Sequence, residues 1–245
     1  MTDALRAFRL LFRWQYFQIR RELPLLIVVQ LALAIGIIYG LAFLIPDIDP
    51  RTAAYLATGG PTIALLIGGM QGGPQEVSRD KLSGRYEYIA ALPVPRLALP
   101  AARVALSLVI QLPGTALAIV VGALRFNFAL DVSFMVVPAI LFVALSGAAV
   151  GYGLGDVLRP EAAGQVGSFL AILILLFSPV NFPLDRLPDL LQTIHQVLPI
   201  KYMADLVRWS LTGGFADNIA LAFAITAGWC ALGVAACWRT ALRRP

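Results

Sequence analysis

The sequence predicts an all-α membrane protein with six transmembrane helices in one domain, residues 1–245. Of its 245 residues, 59% are hydrophobic and only 13% are charged, against about 25% charged residues in an average soluble domain. A soluble domain of this length cannot bury that much apolar surface, so much of the chain must face lipid. Six apolar runs are long enough, at about 20 residues each, to cross a bilayer as helices.

The six predicted transmembrane helices are Leu25–Ile45, Ala53–Gly73, Leu97–Leu124, Val132–Gly155, Ala162–Phe182 and Asn218–Trp238. Five of them contain no Asp, Glu, Lys or Arg. The third contains Arg103 near its start, where a long side chain can extend to the interface. In the second, the sequence Gly59-Gly60-Pro61 predicts a kink or break.

The distribution of lysine and arginine predicts the orientation of these helices. With the N-terminus inside, fourteen of the 19 basic residues fall in segments that face the cytoplasm. Both termini are therefore predicted to be cytoplasmic, in a multi-pass protein of the inner (plasma) membrane.

Residues 4–21, ahead of the first transmembrane helix, have the pattern of an amphipathic helix. Arg6, Arg9, Arg13 and Arg20 fall in one wedge of a helical wheel, with apolar residues opposite. This pattern predicts a helix lying in the membrane interface, its arginines toward lipid headgroups. The alternative is an ordinary basic flank of the first transmembrane helix.

Residues 73–96 form the most polar segment and are predicted to be a partly helical cytoplasmic loop. The helix-compatible part of this segment ends at Pro93 and Pro95. A tether between two helices can be much shorter, so this loop is either a docking surface for a soluble partner or simply a solvated loop. Its candidate residues are Glu76, Arg79, Asp80, Lys81, Gly84, Arg85 and Glu87.

Residues 178–214, before the sixth transmembrane helix, are apolar but interrupted by prolines. Pro179, Pro183, Pro188 and Pro199 separate two stretches with helical periodicity. These stretches predict two short helices that form a re-entrant hairpin at the outer leaflet, where backbone breaks must be covered by protein or water.

No motif for catalysis is present in the sequence. The chain has no G-x-x-x-x-G-K-[ST] loop to cradle phosphates, and neither G-x-S-x-G nor H-E-x-x-H. His195 stands alone, with Gln192 the only polar amide one turn before it, whereas a catalytic base needs both an orienting residue and a nucleophile. The chain is therefore predicted not to be an enzyme, to have no catalytic or metal-binding residue and to bind no cofactor of its own.

Polar and small residues within the transmembrane helices allow two interpretations each. Gln30, Gln111, Thr115 and Asn181 could line a substrate path or form interhelical hydrogen bonds. Two overlapping G-x-x-x-G frames predict close helix packing, either within the subunit or at a dimer seam. Their residues are Gly147, Gly151 and Gly155.

Taken together, these segments resemble the ABC-2 family of exporter permeases over essentially the whole chain. The family's loop motif, roughly acid-x-x-x-Gly-Thr-x-Glu and then Pro-Val-x-Arg, is matched by Asp80, Gly84, Glu87, Pro93, Val94 and Arg96. Arg85 stands in place of the usual Thr or Ser. The proline pattern of residues 178–214, followed by Arg208, is similar to the family's C-terminal half.

The resemblance implies a mechanism and partners. Two permease subunits, identical or related, would form the pathway in membrane lipid, and separate ATPase subunits would bind ATP and Mg²⁺. Residues 73–96 would hold the coupling helix that docks on the ATPase. The hairpin, with Pro179, Pro183, Pro199 and Arg208, would form part of an outer gate. No nucleic acid is expected as a partner.

The expected cargo is an amphiphilic compound such as a drug or natural product, as in multidrug efflux. The reason is a set of transmembrane helices without buried charge, which suits a hydrophobic cargo. One alternative is a polysaccharide or lipid exporter. Alternatives of another class are a membrane-embedded enzyme and a non-transporting membrane anchor.

Overall fold

A computed structural model describes residues 2–45, 48–126, 134–214 and 218–242, and within them every regular element is helical. The eleven α-helices are α1 (Thr2–Ile19), α2 (Leu23–Leu44), α3 (Pro50–Leu66), α4 (Gly72–Leu82), α5 (Arg85–Ala90), α6 (Ala98–Phe126), α7 (Val136–Val157), α8 (Pro160–Phe177), α9 (Asp189–His195), α10 (Pro199–Thr212) and α11 (Ile219–Leu242). A π-helix, Ile67–Gln71, joins α3 to α4, and a 3₁₀ turn, Leu184–Arg186, precedes α9.

Six helical stretches in the described residues are long and apolar enough to cross a membrane: α2, the continuous run Pro50–Leu82, α6, α7, α8 and α11. This confirms the predicted fold class. The second stretch is longer than predicted, because α3, the π-helix and α4 are continuous and include the first part of segment 73–96. Residues 132–133, where the fourth helix was predicted to begin, lie outside the described residues.

Of the kink or break predicted at Gly59-Gly60-Pro61, the break is wrong, because α3 continues through Pro61. Proline has no N–H to donate, so the Ala57 carbonyl one turn earlier lacks its helical partner. Helix α6 lies directly on this site, where a Cβ atom at Gly122 would be 2.6 Å from the Ala57 oxygen. Tight packing by α6 therefore covers the interrupted turn. The hydrogen-bond pattern of the α-helix changes only after Leu66, in the π-helix.

Helix α7 is central to the bundle and packs against α4, α6, α10, α11 and the π-helix. Its contact with α11 is close because Gly153 faces Gly233, where an added Cβ would lie 2.7 Å from the Gly233 oxygen. By contrast, α2, α8 and α11 bury few of their apolar side chains completely. These three helices offer surfaces for lipid or another subunit.

The other face of α7 carries the predicted glycine stripe. Cβ atoms at Gly151 and Gly155 would meet the Gly69 carbonyl and the Pro74 Cα of the second transmembrane stretch. This face of α7 is thus covered by the chain's own π-helix and α4. The contact brings the polar end of α4 against the last turn of α7.

Candidate functional site

One end of the bundle, here called the charged end, contains a buried ionic network. It joins α4, α6 and α7 around Arg103, whose side chain is 1% exposed. Arg103 Nη2 lies 2.5 Å from Asp80 Oδ2, Nη1 lies 4.0 Å from Asp156 Oδ1, and Nε lies 3.9 Å from Glu76 Oε1. Arg103 therefore does not extend to the interface as expected; it is an interior cation held by three carboxylates.

Two tyrosines complete this network. The Tyr152 hydroxyl donates to Glu76 Oε2 at 2.6 Å, and the Tyr86 hydroxyl donates to Asp156 Oδ1 at 3.0 Å. The Arg103 guanidinium also lies 5.5 Å from the centre of the Tyr86 ring. The Asp80 and Asp156 carboxylates are buried, and burial is tolerated when such groups are paired and hydrogen-bonded in this way. Tyr86 belongs to α5, so the network links α5 to three membrane helices.

Lys81 and Ser78 attach α4 to the ends of α7 and α8. Lys81 Nζ donates to the carbonyl oxygens of residues 155, 156 and 158 at 2.8–2.9 Å. These oxygens lie at the C-terminal end of α7, where carbonyls lack helical partners and the helix dipole favours a cation. The Ser78 hydroxyl donates to Pro160 O, at the start of α8, at 2.6 Å. The C-terminal end of α4 is therefore attached by hydrogen bonds to both α7 and α8.

The seven residues predicted for coupling thus divide into an interior set and an exposed set. Glu76, Asp80 and Lys81 face the bundle, whereas Arg79, Gly84, Arg85 and Glu87 are exposed. Arg85 connects the two sets. Its Nη1 lies 3.3 Å from Asp80 Oδ1 and donates to Gln18 Oε1 of α1 at 2.9 Å.

Gly84 makes the turn between α4 and α5 with φ of +72°. Residues with a Cβ rarely adopt this left-handed conformation, at a cost of about 1–2 kcal/mol. We expect Gly84→Val to lower the melting temperature of the purified protein and to expose the α5 amides to hydrogen exchange. Gly84→Asn should perturb both much less, because asparagine tolerates this region. Equal effects of the two substitutions would contradict the assignment of a conformational role.

Of the polar residues predicted in mid-membrane, Gln111, Thr115 and Asn181 are buried and Gln30 is partly buried. The Thr115 hydroxyl donates to the Gln111 carbonyl within α6. In the described part of the chain, no group hydrogen-bonds to the side-chain amide of Gln111, which is 2% exposed, or to that of Gln30. Each packs on a glycine, Gln111 on Gly68 and Gln30 on Gly114. Among the described residues, both amides therefore have unused hydrogen-bonding capacity.

The opposite end, here called the proline-rich end, is organised by Arg208 of α10. This side chain is 0% exposed, donates to Val180 O at 2.6 Å and pairs with Asp205 at 2.9 Å. Its guanidinium lies 3.8 Å from the centre of the Tyr55 ring of α3. The segment between α8 and the 3₁₀ turn, which contains Val180, also places Asn181 against Gly59 of α3.

Arg208 therefore fixes the segment that contains Pro179 and Pro183 to α3 and α10. Pro199 starts α10 at its first turn, where a missing N–H costs nothing.

A comparison with known protein families matches residues 6–212 to the ABC-2 type transporters. The chain belongs to this family. It is a multi-pass membrane protein and the permease component of an ABC transporter. Among curated proteins, no sequence matches the chain.

The matched region of the permease contains both ends described above, from α1 to the last turn of α10. Sequence reasoning missed the partners of Arg103, namely Asp156, Tyr152 and Tyr86. The available signal was Arg103 itself, because an ionisable residue within a transmembrane helix requires a partner. The expectation of transmembrane helices without buried charge is consequently wrong at the charged end. The longer second helix and the last turn of α7 bring acids into the bundle there.

Proposed function

We propose that this permease exports an amphiphilic compound, such as a drug or natural product, with energy from separate ATPase subunits. The ATPases would bind ATP and Mg²⁺ and dock at the charged end, which would face the cytoplasm with both termini. The observation that carries this proposal is the connection from exposed α5, through Arg85, Asp80 and Arg103, into α4, α6 and α7.

The surface around α5 has the chemistry of a docking site. Tyr88 is 66% exposed and Leu82 is 63% exposed, with Glu87 and Arg85 beside them. Large exposed apolar side chains within a polar rim are typical of protein interfaces. On its inner side, Ile89 packs against Ala7 and Leu11 of α1 and Leu99 of α6. Force applied to α5 would therefore reach α1 and α6 as well as the ionic network.

The distribution of charge supports an amphiphilic cargo. Between the charged end and the proline-rich end, the described transmembrane helices contain no Asp, Glu, Lys or Arg. Gln30 and Gln111 supply hydrogen-bonding amides in this otherwise apolar region. An apolar path with few polar groups suits a largely hydrophobic molecule with a polar function. Export through the inner (plasma) membrane would take the cargo toward the proline-rich end, where residues 178–214 would form the gate.

A second permease subunit, identical or related, would complete the pathway. The exposed apolar faces of α2, α8 and α11 can supply the contact with it. Saccharide and lipid cargoes remain alternatives, and they are distinguished by the transport assay below.

The test of this proposal is the double substitution Glu87→Ala/Tyr88→Ala. We expect it to weaken binding of the cognate ATPase subunit by at least about tenfold, since central aromatic residues contribute most to interfaces. Binding is measured by surface plasmon resonance in lipid nanodiscs. ATP-driven uptake of a fluorescent amphiphile is measured in inside-out vesicles.

The matched control is Glu161→Ala, an exposed acid in the first turn of α8 at the same end. It should leave both measurements unchanged. If ATPase binding and uptake survive the double substitution, α5 is not the docking site. If ATP drives uptake of a labelled saccharide or lipid but not of the amphiphile, the cargo assignment is wrong.

A further inference from the structure

A cavity of about 300 Å³ lies at the proline-rich end, between the first turns of α3 and α10 and the segment that joins α8 to α9. This volume is at the lower end of the range for ligand sites, about 300–1,000 Å³. The lining residues most relevant to binding are Arg51, Tyr55, Asp185, Gln192, Lys201 and Asp205.

The cavity carries charges of both signs. Arg51 and Lys201 supply two cations from the first turns of α3 and α10. Asp185 supplies an anion from the 3₁₀ turn. Asp205 also lines the cavity, but its charge is balanced by the buried ion pair with Arg208. Two cations and one carboxylate are thus left for a ligand.

The N-terminus of α3 does not add a further anion site. The Asp49 side chain already caps it by accepting from Thr52 N at 2.9 Å. Hydrogen bonds from Thr52 hold the pKa of Asp49 below its usual range, so this cap stays ionised at neutral pH. A ligand must therefore be recognised by the lining side chains themselves.

The mixed charge favours a ligand that itself carries both signs. A simple anion attracted by Arg51 and Lys201 would be repelled by Asp185. A simple cation attracted by Asp185 would be repelled by Arg51 and Lys201. A zwitterion places each charge against its complement and can gain from all three. The Gln192 amide is held by its hydrogen bond to Leu187 O at 2.8 Å, which fixes one wall of the cavity.

The position of the cavity indicates the rest of the ligand. Arg51 belongs to the first turn of the second transmembrane stretch, so the cavity lies where that helix leaves the apolar core. Phospholipid headgroups occupy this level of a bilayer. A headgroup at this depth would keep its acyl chains in the membrane beside the bundle.

We propose that this cavity binds the zwitterionic headgroup of an amphiphile, with a phosphate at Arg51 and Lys201 and a primary ammonium at Asp185. Phosphatidylethanolamine has this chemistry. Phosphatidylcholine has a bulkier ammonium that cannot donate a hydrogen bond, and phosphatidylglycerol has no cation. The inference is independent of the cargo and of the direction of transport.

The experiment places the full chain in nanodiscs of equimolar phosphatidylethanolamine, phosphatidylcholine and phosphatidylglycerol. Lipids retained on the released protein are then counted by native mass spectrometry. We expect phosphatidylethanolamine to be retained about fivefold over either competitor, the ratio expected from one partly exposed ion pair. Retention of the three lipids in equal amounts would overturn the proposal.

Three substitutions test the individual contacts. Arg51→Gln and Lys201→Gln should each reduce the total amount of lipid retained, because all three lipids carry the phosphate, whereas Arg186→Gln, an exposed neighbour that does not line the cavity, should not. Asp185→Asn should reverse the preference toward phosphatidylglycerol, because it leaves two cations without an anion. Asp189→Asn, on exposed α9, is its control. A reversal of lipid preference cannot result from misfolding alone.

A final arm distinguishes a lipid from a soluble ligand with the same chemistry. Free phosphoethanolamine is added to the nanodiscs at millimolar concentration. Displacement of the retained lipid would indicate that the cavity accepts the headgroup alone, and persistence of the lipid would indicate that the acyl chains also contribute. Displacement supports the zwitterion site directly, whereas persistence supports it only when Asp185→Asn, and not Asp189→Asn, changes which lipid is retained. If Asp185→Asn and Asp189→Asn change lipid retention equally, the site is wrong.

Discussion

Replacement of Arg103 by methionine is expected to lower the free energy of unfolding by about 3–5 kcal/mol, the usual cost of removing one partner of a buried ion pair. Arg103 is 1% exposed, and it is the cation nearest to Asp80 in the interior of the network. Its loss would leave Asp80 and Asp156 buried with less compensation. Methionine is shorter than arginine but has a similar volume, so the effect should reflect charge more than volume.

Denaturation with sodium dodecyl sulfate, followed by tryptophan fluorescence, measures this change. The matched control is Arg125→Met, at the exposed far end of the same helix, which should shift stability by less than about 0.5 kcal/mol. Adding Asp80→Asn to Arg103→Met should restore part of the loss, because it removes an uncompensated carboxylate. Equal stability of Arg103→Met and Arg125→Met would show that the network does not stabilise the fold.

Gly151→Ala is expected to destabilise the permease by about 3 kcal/mol, at the upper end of the usual cost of overpacking. The added methyl group would meet the Gly69 carbonyl of the π-helix. Backbone cannot rotate away as a side chain can, so α7 and the π-helix would have to separate. The same unfolding measurement reports this effect.

Gly147→Ala, one turn earlier in α7, is the control. Its methyl group would lie 4.0 Å from the flexible ends of Leu66 and Met70, which is an ordinary contact. Because alanine favours a helix over glycine by about 0.5–1 kcal/mol, Gly147→Ala should be neutral or slightly stabilising. Similar losses at both positions would show that the distances along this stripe do not determine its packing.

The transmembrane helices were predictable because each needs only a long apolar run, which is a local property of the sequence. The exact end of the second one was not, because Glu76, Asp80 and Lys81 resemble a solvated loop. They are helical and inward-facing because Arg103 and the end of α7 supply partners that are distant in sequence. Pairing between distant residues overrides the local polarity of residues 73–82.

The functional residues also divide into those that a local sequence pattern predicts and those that depend on contacts between distant residues. Gly84 and Glu87 were found through a linear motif, and both are exposed on the surface proposed for docking. Asp156 and Tyr152 belong to no such motif and become recognisable only when α7 is packed against α4. Arg51 and Lys201 were counted for topology alone, because the cavity they share forms only when α3 and α10 meet.

The π-helix at Ile67–Gln71 determines the direction in which the side chains of α4 point. A π turn holds one more residue than the regular i→i−4 turn, and each residue of a helix advances its face by about 100°. The π-helix therefore rotates the side chains of α4 about the helix axis relative to those of α3. Without that rotation, the carboxylates of Glu76 and Asp80 would point in a different direction, away from Arg103. The orientation of the ionic network is therefore encoded upstream, in a stretch that contains no charged residue.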